Sequence, residues 1–261
     1  MTIIPDNWRE LAWKTAIYDC ASDAVAYFVP ELHADMDTSK EIIPMTPWKF
    51  LREKVGQKAL DSLVFLDVPM RGGGVICGLF IIGGQIENAN DFMKRAAITY
   101  YLLCAERPFD TVSQFILYTG DSENVNVFEM NMLGPMIKVE FRTFHLLSQD
   151  VEELRRDQRA FARLLYAGRM AHESGDDLTL REKYARELLV MADGNCYDDA
   201  QRKVILEFSQ RIFRLSDPNI SEDLKAAYDK RTQSLKALNI RSPKKAVGGK
   251  PGRGRSRKRT T

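Results

Sequence analysis

The stretches LDSLVFLDV (residues 60–68) and VICGLFIIGGQ (residues 75–85) decide the fold of this chain. The first has residues of strand type that face two sides in alternation, with Leu60, Val64 and Leu66 on one side. The second is a nearly continuous apolar run, which is typical of a central buried strand. Between them, residues 69–74 contain three glycines in a row, which indicates a turn. Together these features predict a β-hairpin.

Helical and strand patterns continue on both sides of this hairpin. Apolar spacing predicts one helix over 7–29 that ends at Pro30, and a helix capped by Asn90 or Asp91 that runs to Glu106. Further strands are predicted at 112–119, 125–132 and 136–144, followed by helices at 150–173, 179–193, 198–215 and 221–237. This order indicates a mixed-sheet α/β core flanked by helices and followed by an all-helical C-terminal region.

Composition restricts the class of protein. The chain has 261 residues, of which 44% are hydrophobic and 28% are charged, as in ordinary globular domains. No apolar run reaches the ~18 residues that a membrane helix needs, and the N-terminus lacks the pattern of a secretory signal. The four cysteines show no CxxC spacing and the three histidines are far apart, which argues against zinc. We therefore expect a cytoplasmic protein that does not enter membranes.

The net charge of +2 conceals a strong asymmetry. Residues 241–261 hold nine lysines and arginines and no acidic residue, whereas residues 1–240 have a net charge of −7. The glycine- and proline-containing tail has too few apolar residues to form a core, and we expect it to be disordered. Basic residues interleaved with glycine suit contact with nucleic-acid phosphates, although a merely solubilising extension remains an alternative.

One arrangement of the hairpin would provide metal-dependent chemistry. Nucleases hold Mg²⁺ with carboxylates, and the metal then polarises the scissile phosphate. Asp61 lies near the start of the first predicted strand, and Gln85 lies near the end of the second. Residues 83 and 85 share one face of that strand, because side chains in a strand alternate.

These residues resemble the transposase-like PD-(D/E)XK family, which includes the recombination-promoting nucleases. The resemblance covers roughly residues 8–215 and depends on the order of several weak motifs. They are Trp13-Lys14, Phe28 to Leu32, Asp37, Asp61, Gln85, the helix with Phe92, Arg95 and Tyr100, the strand FILYT at 115–119, and the segment Ile205 to Leu215. It implies a restriction-endonuclease-like core in a bacterial DNA enzyme of recombination or transposition, with Asp61 as catalytic acid and metal ligand and Gln85 as a catalytic residue.

The chain departs from the family at one decisive position. The second metal-binding glutamate of the family motif falls on Gly83, which offers no ligand. Asp61 alone would hold Mg²⁺ weakly, because this ion usually has one or two carboxylates together with phosphate. Glu10, Asp67 and Glu87 are the acids considered as replacements, and of these Glu10 on the first helix could approach the sheet.

Three functions remain open. The first is a DNA-interacting nuclease-fold protein with impaired or lost hydrolysis, and the second is an active Mg²⁺-dependent endodeoxyribonuclease with a relocated carboxylate. The third is a protein-interaction scaffold on a degenerate nuclease fold, with the helical half as its surface. We divide the chain into a nuclease-like core (1–145), a helical region (146–238) and a basic tail (239–261). A homodimer is a further possibility, because such nucleases often cut as pairs. The expected DNA-contacting residues are Arg95, Lys244, Lys245, Lys250, Arg253, Arg255, Arg257, Lys258 and Arg259.

Overall fold

The structure is a computed structural model of the full chain. It describes residues 8–45, 53, 60–84, 86, 88–106, 111–121, 125–131, 136–194 and 196–241. Gln85, Glu87 and the basic tail beyond Arg241 therefore lie outside the described residues.

The described residues form a mixed sheet surrounded by helices. The helices are α1 (Trp8–Asp19), α2 (Ala21–Phe28), α3 (Pro30–Asp35), α4 (Ala89–Glu106), α5 (Val151–Arg156), α6 (Ala160–Ser174), α7 (Leu178–Ala192), α8 (Asp199–Ile212) and α9 (Glu222–Arg241). The strands are β1 (Ile43–Pro44), β2 (Leu63–Pro69), β3 (Val75–Gly83), β4 (Thr111–Tyr118), β5 (Val127–Asn131), β6 (Met136–Glu140) and β7 (Arg142–His145). The main sheet has the order β1-β2-β3-β4-β7, and β5 and β6 form a separate pair.

The predicted hairpin is confirmed as the β2–β3 pair. The strands run antiparallel, with Leu63 opposite Ile81 and Pro69 opposite Val75. The glycine turn closes it, since Gly73 and Gly74 have φ of 83° and 77°. Glycine adopts this left-handed conformation without the steric cost that a side chain would add. The turn leads into a strand and serves as a hairpin loop.

Helix α4 connects β3 to β4. These two strands are parallel, and β4 is also parallel to β7, so the sheet is mixed. Parallel neighbours need a long crossover, which α4 supplies. The helix begins at Ala89 and is capped two or three residues earlier than predicted, since the Asn88 Oδ1 accepts a hydrogen bond from the Asp91 N–H at 3.1 Å. The prediction of Asn90 or Asp91 as the cap was wrong.

Apolar side chains cover both faces of the sheet. On one face, Leu63 and Ile81 pack with residues of α4 such as Met93. On the other, Val64 and Ile82 belong to a larger cluster that includes residues of α1, α2, α6 and α8. Leu60 belongs to the α4 side together with Leu63, so its predicted orientation alongside Val64 was wrong. The reason is that strand β2 begins only at Leu63.

The first helices and the helical region share this larger cluster. Trp13 on α1 is buried against Phe208 on α8, with ring centroids 4.7 Å apart. The helix predicted over 7–29 is broken at Cys20, and Pro30 begins α3 at its first turn, where proline needs no hydrogen-bond donor.

Two other predicted elements are also divided. The helix predicted over 150–173 is two helices, because the chain is non-helical between Arg156 and Ala160. The strand predicted over 136–144 is divided at Phe141 between the two sheets. In both cases the apolar spacing in the sequence continues across a position where the regular helix or strand is interrupted. None of the helices in the described ranges is both long and apolar enough to cross a membrane.

Candidate functional site

The candidate site lies at the edge of the sheet where three parallel strands end. Gly83 pairs with Tyr118 at the end of β4, and Tyr118 pairs with His145 at the end of β7. The antiparallel strand β2 begins at this edge, shortly after Asp61. Carboxyl ends of parallel strands are a common place for ligand sites in α/β proteins. The fold thus brings Asp61 and Gly83 to one edge.

Asp61 lies beside the end of the β2–β3 pair, close to Gly83. The last paired residues at this end are Leu63 and Ile81, and the Ile82 N–H donates to the Ser62 carbonyl at 2.8 Å, one residue from Asp61 and one from Gly83. Asp61 is half-buried and ends a short helical turn, whereas the sequence predicted that it lies within the strand. The position expected for the metal acid is thus next to the position expected for its partner.

The space around Gly83 is closed by apolar groups. A β-carbon at this position would lie 2.9 Å from the Ile86 Cδ1, 3.2 Å from the Tyr118 Cδ1 and 3.3 Å from the Phe92 Cζ. These distances are shorter than ordinary van der Waals contact. The cavity that a glutamate would need at position 83 is therefore filled.

Helix α1 brings an acid and a base to the same edge. The Glu10 carboxylate lies against Gly84, where a β-carbon would overlap the Glu10 Oε1. Lys14, one turn later, donates from Nζ to the Leu60 carbonyl at 2.8 Å. Residues four apart lie on one face of a helix. Glu10 was considered from the sequence, whereas Lys14 was not considered as a cation at this edge. The i, i+4 spacing of Glu10 and Lys14 is the signal that could have found it.

The far side of the edge holds an aromatic pair that sequence reasoning did not find. The rings of Tyr118 and His145 are stacked with centroids 4.4 Å apart. The Tyr118 hydroxyl donates to the Val125 carbonyl at 2.6 Å, and burial raises the pKa of Tyr118 to about 12. Burial lowers the pKa of His145, and its Nε2 has no hydrogen-bond partner within the described part of the chain. Burial therefore disfavours the protonated form of the His145 imidazole.

The Gly83 carbonyl is fixed from β4. It accepts the Thr119 N–H at 2.7 Å and the Thr119 hydroxyl at 3.3 Å. This double contact keeps the end of β3 in place although it has no side chain at positions 83 and 84.

Of the other acids and basic residues considered from sequence, the structure describes Asp67 and Arg95, and neither lies at this edge. Gln85 and the tail residues lie outside the described residues, as does Glu87. Asp67 pairs with Cys77 toward the opposite end of the hairpin, so it is not at this edge. Arg95 is exposed on the outer face of α4. Within the described ranges, no group of three or more histidine, cysteine, aspartate or glutamate side chains is arranged to hold a metal ion.

The chain was compared with known proteins in three ways. No family model, no curated protein and no solved structure matches it.

Proposed function

We propose that this chain is a DNA-interacting protein on a nuclease-like core in which hydrolysis of phosphodiester bonds is impaired or lost. The order of elements supports the proposal. The chain order is Asp61, the two hairpin strands, a helix with Phe92 and Arg95 and then the strand that contains Phe115 to Tyr118, which is the order that the family resemblance implies, except that Asp61 precedes its strand.

The relation of Asp61 to Gly83 carries the proposal. A magnesium site of this type usually has a second carboxylate near the first, and the residue expected to provide it is a glycine in a closed apolar environment. Ile86, Phe92 and Tyr118 fill the volume through which a carboxylate would extend. This packing agrees with impaired or lost hydrolysis.

Charge supports the DNA part of the proposal. The nine basic residues of the tail have no acidic neighbours in sequence, and Arg95 is exposed on α4. Basic side chains that neutralise phosphates release counterions, so the resulting affinity depends steeply on salt.

Glu10 favours a second candidate, the active Mg²⁺-dependent endodeoxyribonuclease. Its carboxylate comes from α1 to the backbone of Gly84, one residue beyond the expected position. Asp61 and Glu10 would then be the two carboxylates, and Lys14 would be a cation near the phosphate. One or two carboxylates with substrate phosphate are the usual protein share of a magnesium site.

Two measurements on the full chain test the proposal. The first is the affinity for duplex DNA, measured at about 50 and about 200 mM salt for the full chain and for a variant that lacks residues 239–261. If six or more tail cations contact phosphates, affinity falls by about 10³-fold or more over this range. Absence of salt-sensitive binding would overturn the DNA assignment.

The second measurement is cleavage of supercoiled plasmid with Mg²⁺ or Mn²⁺. We expect no cleavage by the unmodified chain. If it does cleave, Asp61→Asn and Glu10→Gln decide between the candidates, with the exposed Glu41→Gln as matched control. Loss of cleavage in the first two variants and not in the control supports the relocated carboxylate and rejects the loss of hydrolysis.

A further inference from the structure

A groove of about 790 Å³ lies on the flank of α1, away from the Glu10 contact. It is bordered by the first residues of α1, the end of α8 and the first half of α9. Its charged and aromatic lining consists of Trp8, Arg211, Arg214, Lys225 and Asp229. Three of these five side chains are cationic, and the guanidinium groups of Arg9 and Arg214 lie 5.3 Å and 6.0 Å from the centre of the Trp8 ring.

Arg214 has an unusual backbone for its residue type. Its φ is 53°, the one positive value outside glycine in the described residues. It follows the last turn of α8, where the Leu215 N–H donates to the Gln210 carbonyl at 3.0 Å. This is the helix-ending position that glycine normally occupies. An arginine here adds strain that a glycine would avoid, which points to a role for its side chain.

The guanidinium of Arg214 is only partly satisfied. Its Nε is buried without a hydrogen-bond partner in the described part of the chain. Its Nη1 forms a long ion pair with the Asp176 Oδ1 at 4.0 Å, which is beyond hydrogen-bond distance. The group lies 6.0 Å from the centre of the Trp8 ring, at the limit of a cation–π contact. Because Nε is buried, a ligand would contact the terminal guanidinium nitrogens of Arg214.

The charged side chains that line the groove are three cations, Arg211, Arg214 and Lys225, and one carboxylate, Asp229. Lys225 is paired with Glu222 at 2.8 Å, and the hydrogen bond from Gln210 to Asp229 at 3.1 Å does not neutralise that carboxylate. Arg211 is exposed at the groove and adds a second guanidinium. Guanidinium groups match the oxygens of phosphate with paired hydrogen bonds, better than a single ammonium does.

We propose that this groove is a binding site for a phosphate group, held by Arg211 and Arg214 beside the Trp8 ring. The phosphate belongs to a nucleotide or to a single nucleic-acid strand, since the indole offers an apolar surface to the attached base. The site is separate from Asp61 and does not depend on metal-dependent hydrolysis.

Arg214→Gly tests this site without a risk to the fold, because glycine suits the positive φ at position 214. Arg156→Ala is the matched control, since it removes one positive charge from an exposed position on α5. Isothermal titration calorimetry on the full chain would use thymidine 5′-monophosphate and a twelve-residue oligothymidine as probes. Thermal melting of both variants verifies that they remain folded.

We expect binding of at least one probe, with affinity about tenfold or more lower in Arg214→Gly and nearly unchanged in Arg156→Ala. Binding of the mononucleotide assigns the site to free nucleotides, whereas binding of the oligonucleotide alone assigns it to a strand. Equal affinity in Arg214→Gly and the unmodified chain overturns the proposal, as does an equal loss in the control or no binding at all. The comparison of Arg214→Gly with Arg156→Ala does not depend on whether the chain cleaves plasmid DNA or whether its tail binds duplex DNA, so this proposal can fail separately from the proposed function.

Discussion

The Glu10 carboxylate and the Gly84 backbone are in direct contact, and a β-carbon at position 84 would overlap the carboxylate. This contact joins α1 to the end of β3. The overlapping atom is at the far end of a flexible side chain, so a methyl group at position 84 would displace the carboxylate more easily than the strand. The glycine therefore sets where the Glu10 carboxylate lies.

Gly84→Ala should be energetically coupled to Glu10. We expect Gly84→Ala to lower the free energy of unfolding, and to lower it less when Glu10 is already alanine, because the overlapping group is then absent. Contacting residues typically show coupling of about 0.5–3 kcal/mol, and we expect the low end here. Urea denaturation of the two single variants and the double variant measures this, and strictly additive effects would contradict the contact.

Gly83→Ala should destabilise the protein by about 1–3 kcal/mol, because Ile86, Phe92 and Tyr118 must move to accept even a methyl group. Gly83→Glu should cost more, because a glutamate side chain is larger than a methyl group and carries a charge into this apolar environment. The control is Gly72→Ala, where no atom lies within 4 Å of the added β-carbon. Equal melting temperatures for Gly83→Ala and Gly72→Ala would show that the site around Gly83 is open.

The sequence was sufficient for the hairpin and for the alternation of helices and strands that produces the α/β core. The ends of several helices and strands differed from the prediction where the apolar spacing continues but the backbone changes direction. Asp61 follows a strand-like pattern but lies in a helical turn before β2, and Cys20 interrupts a helix whose apolar spacing continues. Periodicity reports which side chains are buried, and it does not report where the backbone bends.

Gly168→Ala should lower stability although alanine favours helices. Its β-carbon would overlap the indole of Trp13 and lie 3.2 Å from the Leu146 Cδ2. Trp13 is 1% exposed and has no room to retreat. We expect a loss of about 1–3 kcal/mol, typical of overpacking, in place of the usual gain of about 1 kcal/mol for this exchange. Thermal denaturation checks the sign, and a gain in stability would reject the close approach of α1 and α6.

Tyr228→Phe should cost about 1–2 kcal/mol. The Tyr228 hydroxyl is fully buried and donates to the Ala185 carbonyl at 2.7 Å, so its removal deletes a buried hydrogen bond between α9 and α7. Tyr101→Phe is the matched control, because Tyr101 is 63% exposed on α4. Urea denaturation should separate the two variants, and equal stabilities would mean that the α7–α9 hydrogen bond does not contribute.

Less of the candidate site than of the fold could be predicted from the sequence. Asp61 and Gly83 could be aligned by the family resemblance, but the three apolar groups that close position 83 come from separate elements. The contact of Glu10 with Gly84 depends on how α1 lies over the sheet, and local patterns do not determine this. Tyr118 and His145 meet only because β4 and β7 are parallel neighbours in register.

The His145 imidazole should make stability depend on pH. Burial lowers its pKa in the folded chain from the ordinary value of 6.5. As pH falls below 6.5, the unfolded chain takes up the proton first, so the free energy of unfolding decreases until the folded-state pKa is passed. His145→Gln removes this titration and should reduce the loss of stability as the pH falls below 6.5. Urea denaturation across pH 5–8 measures the slope, and the same slope in both proteins would show that the stacked imidazole titrates as it does in the unfolded chain.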